Sequence, residues 1–467
     1  MRAHHEERFL NVAGLTHKSV LIAWGSFFFR IRNSDGEFQL VDDEDLQQES
    51  RRRRGSIGAA SLPYGNAVVE VLDNNGRVVS SSITNAYNHC WVTGLQPDTE
   101  YSYRVTVGNR KWGAGQLLDW TEQNGRMGLF PREGGYTNRF RTHPHPQAPA
   151  PGPLTFAIIG DFGTGVKKAN RPQATIARLL EKAVDDFNVR FVLTTGDNIY
   201  AGKRLLGLPI GSTGDEDDDW YFTFYQPYRY IINRIPFYPA LGNHDSDETE
   251  DEDDRAQVID NFYLEERIKG EEASGRTSPG PGLFYQFRYG SQIEFICIDT
   301  SKDRKLFFRG RRLFEEDSNL QYLRSTFSPA DANSPMWRIP FCHHPPFSAG
   351  PHRNTRSMHQ LLDLFQQAGV TAMFSGHSHN FQHNRHEGIN YFISGAAGKL
   401  ETGTPRHFED AHTVSWSDSN HFLLVTIEDR EMRIRAIGGS ENDQLSDIRR
   451  RDPELNDVDE PIVIPLP

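Results

Sequence analysis

The sequence predicts two domains, an all-β sandwich followed by a layered α/β domain, and three observations carry that prediction. A chain of 467 residues exceeds what one hydrophobic core usually organises. Pro, His and Ala crowd residues 143–153 (HPHPQAPAPGP), a composition that propagates neither helix nor sheet and tends toward extended polyproline geometry. On the two sides of that segment the apolar residues follow different rhythms. The expected division is 1–142 for the sandwich, 143–153 for a linker, 154–440 for the α/β domain and 441–467 for a polar, partly extended tail.

Upstream of the linker, β-rich runs at Ser19–Trp24, Ala67–Leu72 and Tyr101–Val107 are separated by turns rich in Asp, Asn and Gly, the pattern of an antiparallel sandwich. No helical stripe competes with them. In GLQPDTEYSYRV, the residues Leu95, Pro97, Thr99 and Tyr101 resemble the approach to the tyrosine corner of a fibronectin type III-like sandwich. Arg51–Arg54 follow the acidic stretch Asp42–Asp45, and the pair reads as a solvated loop of opposite charges rather than a nucleic-acid patch.

Downstream the rhythm becomes strand, helix, strand. Leu154–Ile159 is apolar and β-rich, Pro172–Phe187 has helical spacing, and Arg190–Thr195 is again strand-like. Further buried strands are expected at Ile235–Leu241, Ile293–Ile298, Arg338–Cys342, Val370–Phe374 and Tyr391–Ser394, and helices at Trp220–Arg234, Asn319–Phe327 and Arg356–Ala368. His421–Glu428 and Met432–Ile437 read as a hairpin closing the sheet. Together these elements make a layered α/β domain.

Composition narrows the function classes. A net charge of −12 disfavours nonspecific nucleic-acid binding, which needs Lys and Arg to displace counterions from phosphates. It does not exclude a phosphorylated substrate, because a metal ion inverts the local electrostatics of a carboxylate-lined pocket. No run approaches the roughly 18 apolar residues of a membrane span. Cys90, Cys297 and Cys342 are widely spaced and fit neither a disulfide framework nor a cysteine-ligated zinc site. The start, MRAHHEERFLNVAG, lacks a basic segment followed by an apolar h-region, so the protein either stays inside or is exported with its leader absent from this sequence.

Five short motifs, GDFG, GDNIY, GNHD, HHPP and GHSH, each follow directly on an apolar strand candidate. In an open α/β sheet such strand ends converge on one crevice. They would gather Asp161, Asp197, Tyr200, Asn243, His343, His377 and His379, a mixture of oxygen donors and imidazoles that suits iron, zinc or manganese. A carboxylate shared between two ions would hold them at the spacing used in two-metal hydrolysis. Gly160, Gly196, Gly242 and Gly376 precede the Asp, Asp, Asn and His of their motifs and let the chain turn off a strand without a side chain striking the ions. Singly, each motif reads as an ordinary turn, a packed aromatic or a loop histidine. Their order and joint placement carry the meaning.

The series GD-x-G, GD-x-x-Y, GNH-[DE], V-x-x-H and GH-x-H resembles the signature of the purple acid phosphatases, members of the calcineurin-like metallophosphoesterase superfamily, and the preceding sandwich is similar to the N-terminal domain of the family's larger members. The resemblance implies that Asp161, Asp197, Tyr200 and His379 hold a ferric ion, with Asp197 bridging, and that Asn243, His343 and His377 complete a second site for Fe(2+), Zn(2+) or Mn(2+). A phenolate from Tyr200 on ferric iron would give the purple colour. The family's V-x-x-H is here Pro340-Phe341-Cys342-His343, and His344 follows at once as a lesser candidate. His244 and His352 resemble family positions that contact the substrate phosphate and protonate the leaving oxygen, and Asp245 is expected to support His244.

The implied activity is a phosphomonoester hydrolase in which metal-bound hydroxide attacks phosphorus in line, acting on a small phosphorylated substrate with no nucleic-acid or membrane partner. Two alternatives remain: a metallophosphodiesterase or nucleotide hydrolase of the same superfamily, against which Tyr200 argues, and a non-catalytic phosphate- or glycan-binding protein, against which the seven filled positions argue. The acidic run Asp247–Asp254 reads as a solvated loop, or else as a device that repels polyanions or recruits a cation.

Overall fold

The computed structural model describes residues 4–32, 37–40, 66–113, 115–200, 204–205, 208–209, 220–245, 253–272, 284–301, 312–331, 334–439 and 444–466. The Asp42–Asp45 and Arg51–Arg54 runs lie outside the described residues, as do residues 247–252 of the acidic run. The chain divides into two compact units. One comprises Met1–His143 with Lys167–Ala169 and Tyr225–Pro236, and the other comprises Pro144–Val166, Asn170–Phe224 and Phe237–Pro467.

The first unit is dominated by antiparallel strands. Ser19–Arg32 lies between His4–Leu15 on one side and both Glu37–Leu40 and His89–Thr93 on the other. A second sheet runs in the order Arg139–Arg141, Glu100–Val107, Ala67–Leu72, Val78–Thr84, with Arg110–Trp112 also paired to Glu100–Val107. Alternation explains the core: Val69 and Val71 on one strand, Tyr101, Tyr103 and Val105 on the next, pack with Val20, Ile22 and Trp24 of the other sheet. The Tyr101 hydroxyl accepts the Gln96 N–H at 3.0 Å, closing the corner that the Leu95–Tyr101 pattern predicts. Arg229, on the Gln226–Ile232 helix, is buried in an ion pair with Glu7, so a helix from the second half of the chain belongs to this unit.

The second unit holds two seven-stranded mixed sheets. The first runs Phe237–Pro239, Val192–Thr194, Leu154–Ile159, Phe422–Glu428, Glu431–Gly439 and Leu445–Asp447, with Ile462–Pro465 also paired to Glu431–Gly439. The tail is thus partly sewn into the sheet by its two short strands. The second sheet runs Gln286–Tyr289, Ile293–Cys297, Trp337–Phe341, Ala372–Ser375, Ile389–Ser394, Phe381–His386 and Thr413–Ser417. Phe156 of the first sheet meets Phe295 of the second edge to face, with ring centroids 5.1 Å apart, so the two sheets share an aromatic core. The Leu154–Ile159 strand and the Pro172–Phe187 helix have the expected limits, the helix beginning on a proline and ending at Asn188 in the left-handed conformation. The helix expected at Trp220–Arg234 is split into a π-helical turn, Tyr221–Tyr225, and an α-helix, Gln226–Ile232.

Two histidines, His421 fully buried and His383 half-buried, tie this unit's stability to pH. His421 is fully buried between the Ser419 carbonyl (2.9 Å from Nδ1) and Ser394 Oγ (3.2 Å from Nε2), and burial pushes its pKa down to about 4. Burial likewise pushes His383 down to about 4, against its hydrogen bond to Asn390. A histidine whose pKa is lower folded than unfolded contributes stability that is full above its unfolded pKa of about 6.5 and is lost as pH falls toward 4. For His421 that loss is on the order of 3 kcal/mol. The expected result is a urea midpoint that falls steeply between pH 6.5 and 4 and less steeply in His421→Gln. Equal slopes in the two proteins would contradict it.

Candidate dinuclear metal centre

The parallel pairing of Leu154–Ile159 with Val192–Thr194, and of the latter with Phe237–Pro239, brings three strand ends to one rim of the first sheet. Asp161, Asp197 and Asn243 follow those ends. In the second sheet Trp337–Phe341 and Ala372–Ser375 are also parallel, and His343, His377 and His379 follow them. The rims are stitched together by backbone: His377 N–H donates to Asp161 Oδ2 (2.9 Å) and Ala397 N–H to the Gly160 carbonyl (3.1 Å). A Cβ on Gly242 would overlap Asp197 Oδ1, and one on Gly376 would lie 2.5 Å from Asp161 Oδ2. Glycine is required at these two positions by the carboxylates themselves.

All seven donor residues come together, in two groups. In the first, the Tyr200 hydroxyl lies 3.4 Å from Asp161 Oδ1 and 3.3 Å from His379 Nε2, which is itself 3.3 Å from Asp161 Oδ1. In the second, His343 Nε2 lies 2.9 Å from Asn243 Oδ1, 3.2 Å from His377 Nδ1 and 3.4 Å from Asp197 Oδ1. Ligand atoms of Asp197, Asp161 and His343 lie within 4.8 Å of one another, so Asp197 reaches both groups. Asp161, Asp197 and His377 all have positive φ (54°, 51° and 71°), a left-handed backbone that costs non-glycine residues about 1 kcal/mol or more each. Backbone strain thus falls at three of the seven donor positions.

The donor chemistry fits cations. His343 Nδ1 lies 2.8 Å from the Thr195 carbonyl, so the neutral ring with its proton on Nδ1 presents an Nε2 lone pair to an amide oxygen, a carboxylate and a second imidazole. Burial acts to lower the His343 pKa, but the charges of Asp197 and Asp161 outweigh it and raise that pKa, favouring positive charge at this place. Lone pairs so placed repel one another unless positive charge sits among them. Donor atoms bound about 2.1 Å from one ion at right angles would be about 3 Å apart, the spacing seen here.

The ionisation pattern agrees. Burial raises the pKa of Asp161 despite the hydrogen bond from His379. Burial also acts to raise Asp197, but the charges of His343 and His244 outweigh it and its carboxyl lies below the usual range. Burial and the charges of both carboxylates hold the Tyr200 phenol well above its ordinary pKa, so its ionisation requires a compensating cation. Burial and the neighbouring His343 and His352 keep His377 neutral, with its pKa well below the usual value, as a ligand must be.

The remaining candidates fall around this centre. The His244 ring lies 4.5 Å from that of Tyr200, tilted by 51°, and the His244 backbone N–H donates to Asp197 Oδ1 (3.0 Å). His352 is exposed, its ring 4.3 Å from that of His377 and 6.2 Å from that of His379. His344 Nδ1 pairs with Thr300 Oγ1 at 2.9 Å, while its ligand atom lies within 4.8 Å of those of His343 and His377.

Asp245 departs from expectation. Rather than supporting the His244 imidazole, its carboxylate accepts the N–H groups of Gly242 (2.8 Å), Asn198 (2.9 Å) and Ile199 (3.2 Å) and the Asn198 side-chain amide (2.8 Å). It fastens the GNHD loop to the GDNIY loop. Burial and the charge of Asp197 push its pKa up to about 7, against the pull of the Gly242 and Asn198 amides.

Sequence reasoning also missed Lys399, whose ammonium lies 4.8 Å from the centre of the Tyr200 ring, and the role of Thr195, whose carbonyl sets the His343 tautomer. Neither carries a motif that would reveal it.

A family model described as calcineurin-like phosphoesterase matches residues 154–381. Purple acid phosphatase 3 of Arabidopsis thaliana is 23% identical over 299 residues, covering 61% of this chain and 74% of that protein. Tartrate-resistant acid phosphatase type 5 of Homo sapiens is 24% identical over 319 residues, covering 62% and 88%.

Among solved structures, PhoD superposes with a TM-score of 0.60 at 13% identity, covering 95% of this chain and 89% of that one. The purple acid phosphatase PPD1 from yellow lupin (Lupinus luteus) seeds gives 0.56 at 14% identity, covering 96% and 74%. At these identities the solved structures speak to the fold, and they extend the likeness over the β unit as well as the α/β unit. Residues 154–381 form a calcineurin-like phosphoesterase domain with the purple acid phosphatases as distant homologues, and the N-terminal β unit is consistent with the fibronectin type III-like domain of that family.

Proposed function

We propose that the protein is a dinuclear phosphomonoester hydrolase of the purple acid phosphatase kind. The observation that carries this reading is the pair of donor groups meeting at Asp197, whose ligand atom lies within 4.8 Å of those of Asp161 and His343. Asp161, Tyr200 and His379 would hold a ferric ion, Asn243, His343 and His377 would hold Fe(2+), Zn(2+) or Mn(2+), and Asp197 would serve both. When bound, such a pair supplies Lewis acidity to the phosphoryl oxygens and acidifies water at low pH.

The chain's own residues do the rest. The buried carboxylates and imidazoles hold the donor geometry without reorganisation. Thr195 keeps His343 in the tautomer with Nε2 inward. His352, exposed beside His377, is placed to give a proton to the departing alcohol oxygen, and His244, beside Tyr200, to contact the phosphoryl group.

The test is metal analysis and a visible spectrum of the purified protein, with turnover of a monoester and a diester compared on one preparation. Expected are iron, a visible band that disappears in Tyr200→Phe, and faster monoester turnover. A colourless protein that prefers diesters would overturn the assignment.

A further inference from the structure

We propose that Gln382 is a positioning residue for His352, acting through the Phe347–Asn354 loop that carries the imidazole to the rim of the donor cluster. The proposal rests on the proton-donating role given to His352 above. Gln382 lies three residues beyond His379, on the Phe381–His386 strand, and is fully buried. Its Oε1 accepts the Ala349 N–H at 2.9 Å, and its Nε2 donates to Asn380 Oδ1 at 2.8 Å.

Further polar contacts secure the same loop. Asn384 Nδ2 donates to the Phe347 carbonyl (3.0 Å), and Ser348 Oγ pairs with Ser378 Oγ (2.7 Å), Ser378 lying between His377 and His379. The loop closes on itself through Ser348 N–H to Asn354 Oδ1 (2.8 Å) and Gly350 N–H to Ser348 Oγ (3.2 Å). The outcome is asymmetric: Ser348 and Ala349 are buried and pinned, whereas His352, three residues on, is exposed at the cluster.

Side chains on the segment that supplies His377 and His379 therefore set the height and angle of a loop whose tip offers His352. Without Gln382 the Ala349 N–H loses its acceptor in a buried place, and the loop must shift to find another. A displacement of about 1 Å at an acid costs on the order of 10²-fold in rate.

The leaving group provides the readout. A proton from His352 matters in proportion to the basicity of the departing oxygen, so an alkyl phosphate needs it and 4-nitrophenyl phosphate barely does. General damage to the fold or to metal binding slows both esters alike.

The experiment measures kcat for both esters in metal-replete wild type, Gln382→Met, Gln382→Glu, His352→Ala and the Gln382→Met/His352→Ala double variant, with metal content and Tm of each. Gln382→Met keeps the volume and loses the hydrogen bonds to Ala349, Asn380 and Asn384, and Gln382→Glu keeps an acceptor for Ala349. Expected are losses on the order of 10- to 100-fold on the alkyl ester in Gln382→Met and His352→Ala, less than about 3-fold on the nitrophenyl ester, a double variant no slower than His352→Ala, and recovery in Gln382→Glu. If His352→Ala shows the leaving-group dependence but Gln382→Met slows both esters equally or neither, the proposal is overturned while the role of His352 stands. If His352→Ala itself shows no such dependence, the reading of His352 falls and takes this proposal with it. Should Gln382→Met fail to fold, a Gln382→Glu protein with the His352→Ala profile would also overturn the proposal.

Discussion

Replacing Asp197 with alanine is expected to lower kcat/KM by on the order of 10³-fold or more and to strip metal from both positions. Asp197 is the carboxylate that reaches both donor groups, with a ligand oxygen within 4.8 Å of one on Asp161 and 3.4 Å from His343 Nε2, and it also accepts the His244 N–H. Removing it leaves each remaining group short of one anionic ligand and leaves the fully buried His343 beside fewer compensating charges. Asn243→Ala, by contrast, touches only the second group and should spare metal at the first. An Asp197→Ala protein with full activity and two ions per chain would show that the two groups do not form one centre.

Asp245→Ala is expected to lower stability by roughly 3 to 5 kcal/mol and metal affinity by about 10- to 100-fold, although Asp245 is assigned no metal. Its carboxylate holds four N–H groups, three of them backbone, and all are buried with it. Alanine would leave those donors without acceptors at about 1–3 kcal/mol each, less whatever water can enter. The two loops it joins carry Asp197, Tyr200 and Asn243, so the loss should show in metal titration as well as in the urea midpoint. Asp245→Asn, which keeps one carbonyl acceptor, should recover part of both. Wild-type metal affinity in Asp245→Ala would show that the loops hold their places unaided.

Much of this was legible because buried parallel strands are continuous apolar runs with a motif at the end. Leu154–Ile159 and Ile293–Cys297 stand out from their polar surroundings, and the residues following such strands converge for reasons of topology. Asp161, Asp197, Asn243, His343, His377 and His379 follow from that rule alone. Illegible features depend on partners far away in sequence. Nothing in GNHD distinguishes an Asp that leans on His244 from one that clasps the amides of Asn198 and Ile199. Nothing near residue 229 announces that its arginine pairs with Glu7, so the Gln226–Ile232 helix reads as part of the α/β domain while clustering with the β unit. The split of that helix into a π-turn and an α-segment is equally silent, since side-chain periodicity hardly registers one added residue in a turn.

The tyrosine corner shows the reverse. Its signal lies within seven residues, from Leu95 to Tyr101, and the hydrogen bond it predicts spans only five. Local patterns survive in sequence, and long-range hydrogen bonding does not.

The central claim is that two cations sit between these two donor groups and share Asp197. Anomalous diffraction from crystals of the metal-replete protein, recorded on both sides of the iron edge, tests it most directly. The account predicts two peaks a few ångströms apart, the one nearer Tyr200 and His379 showing the iron edge and Asp197 lying between them. A single peak, or two peaks that do not share Asp197, would contradict it.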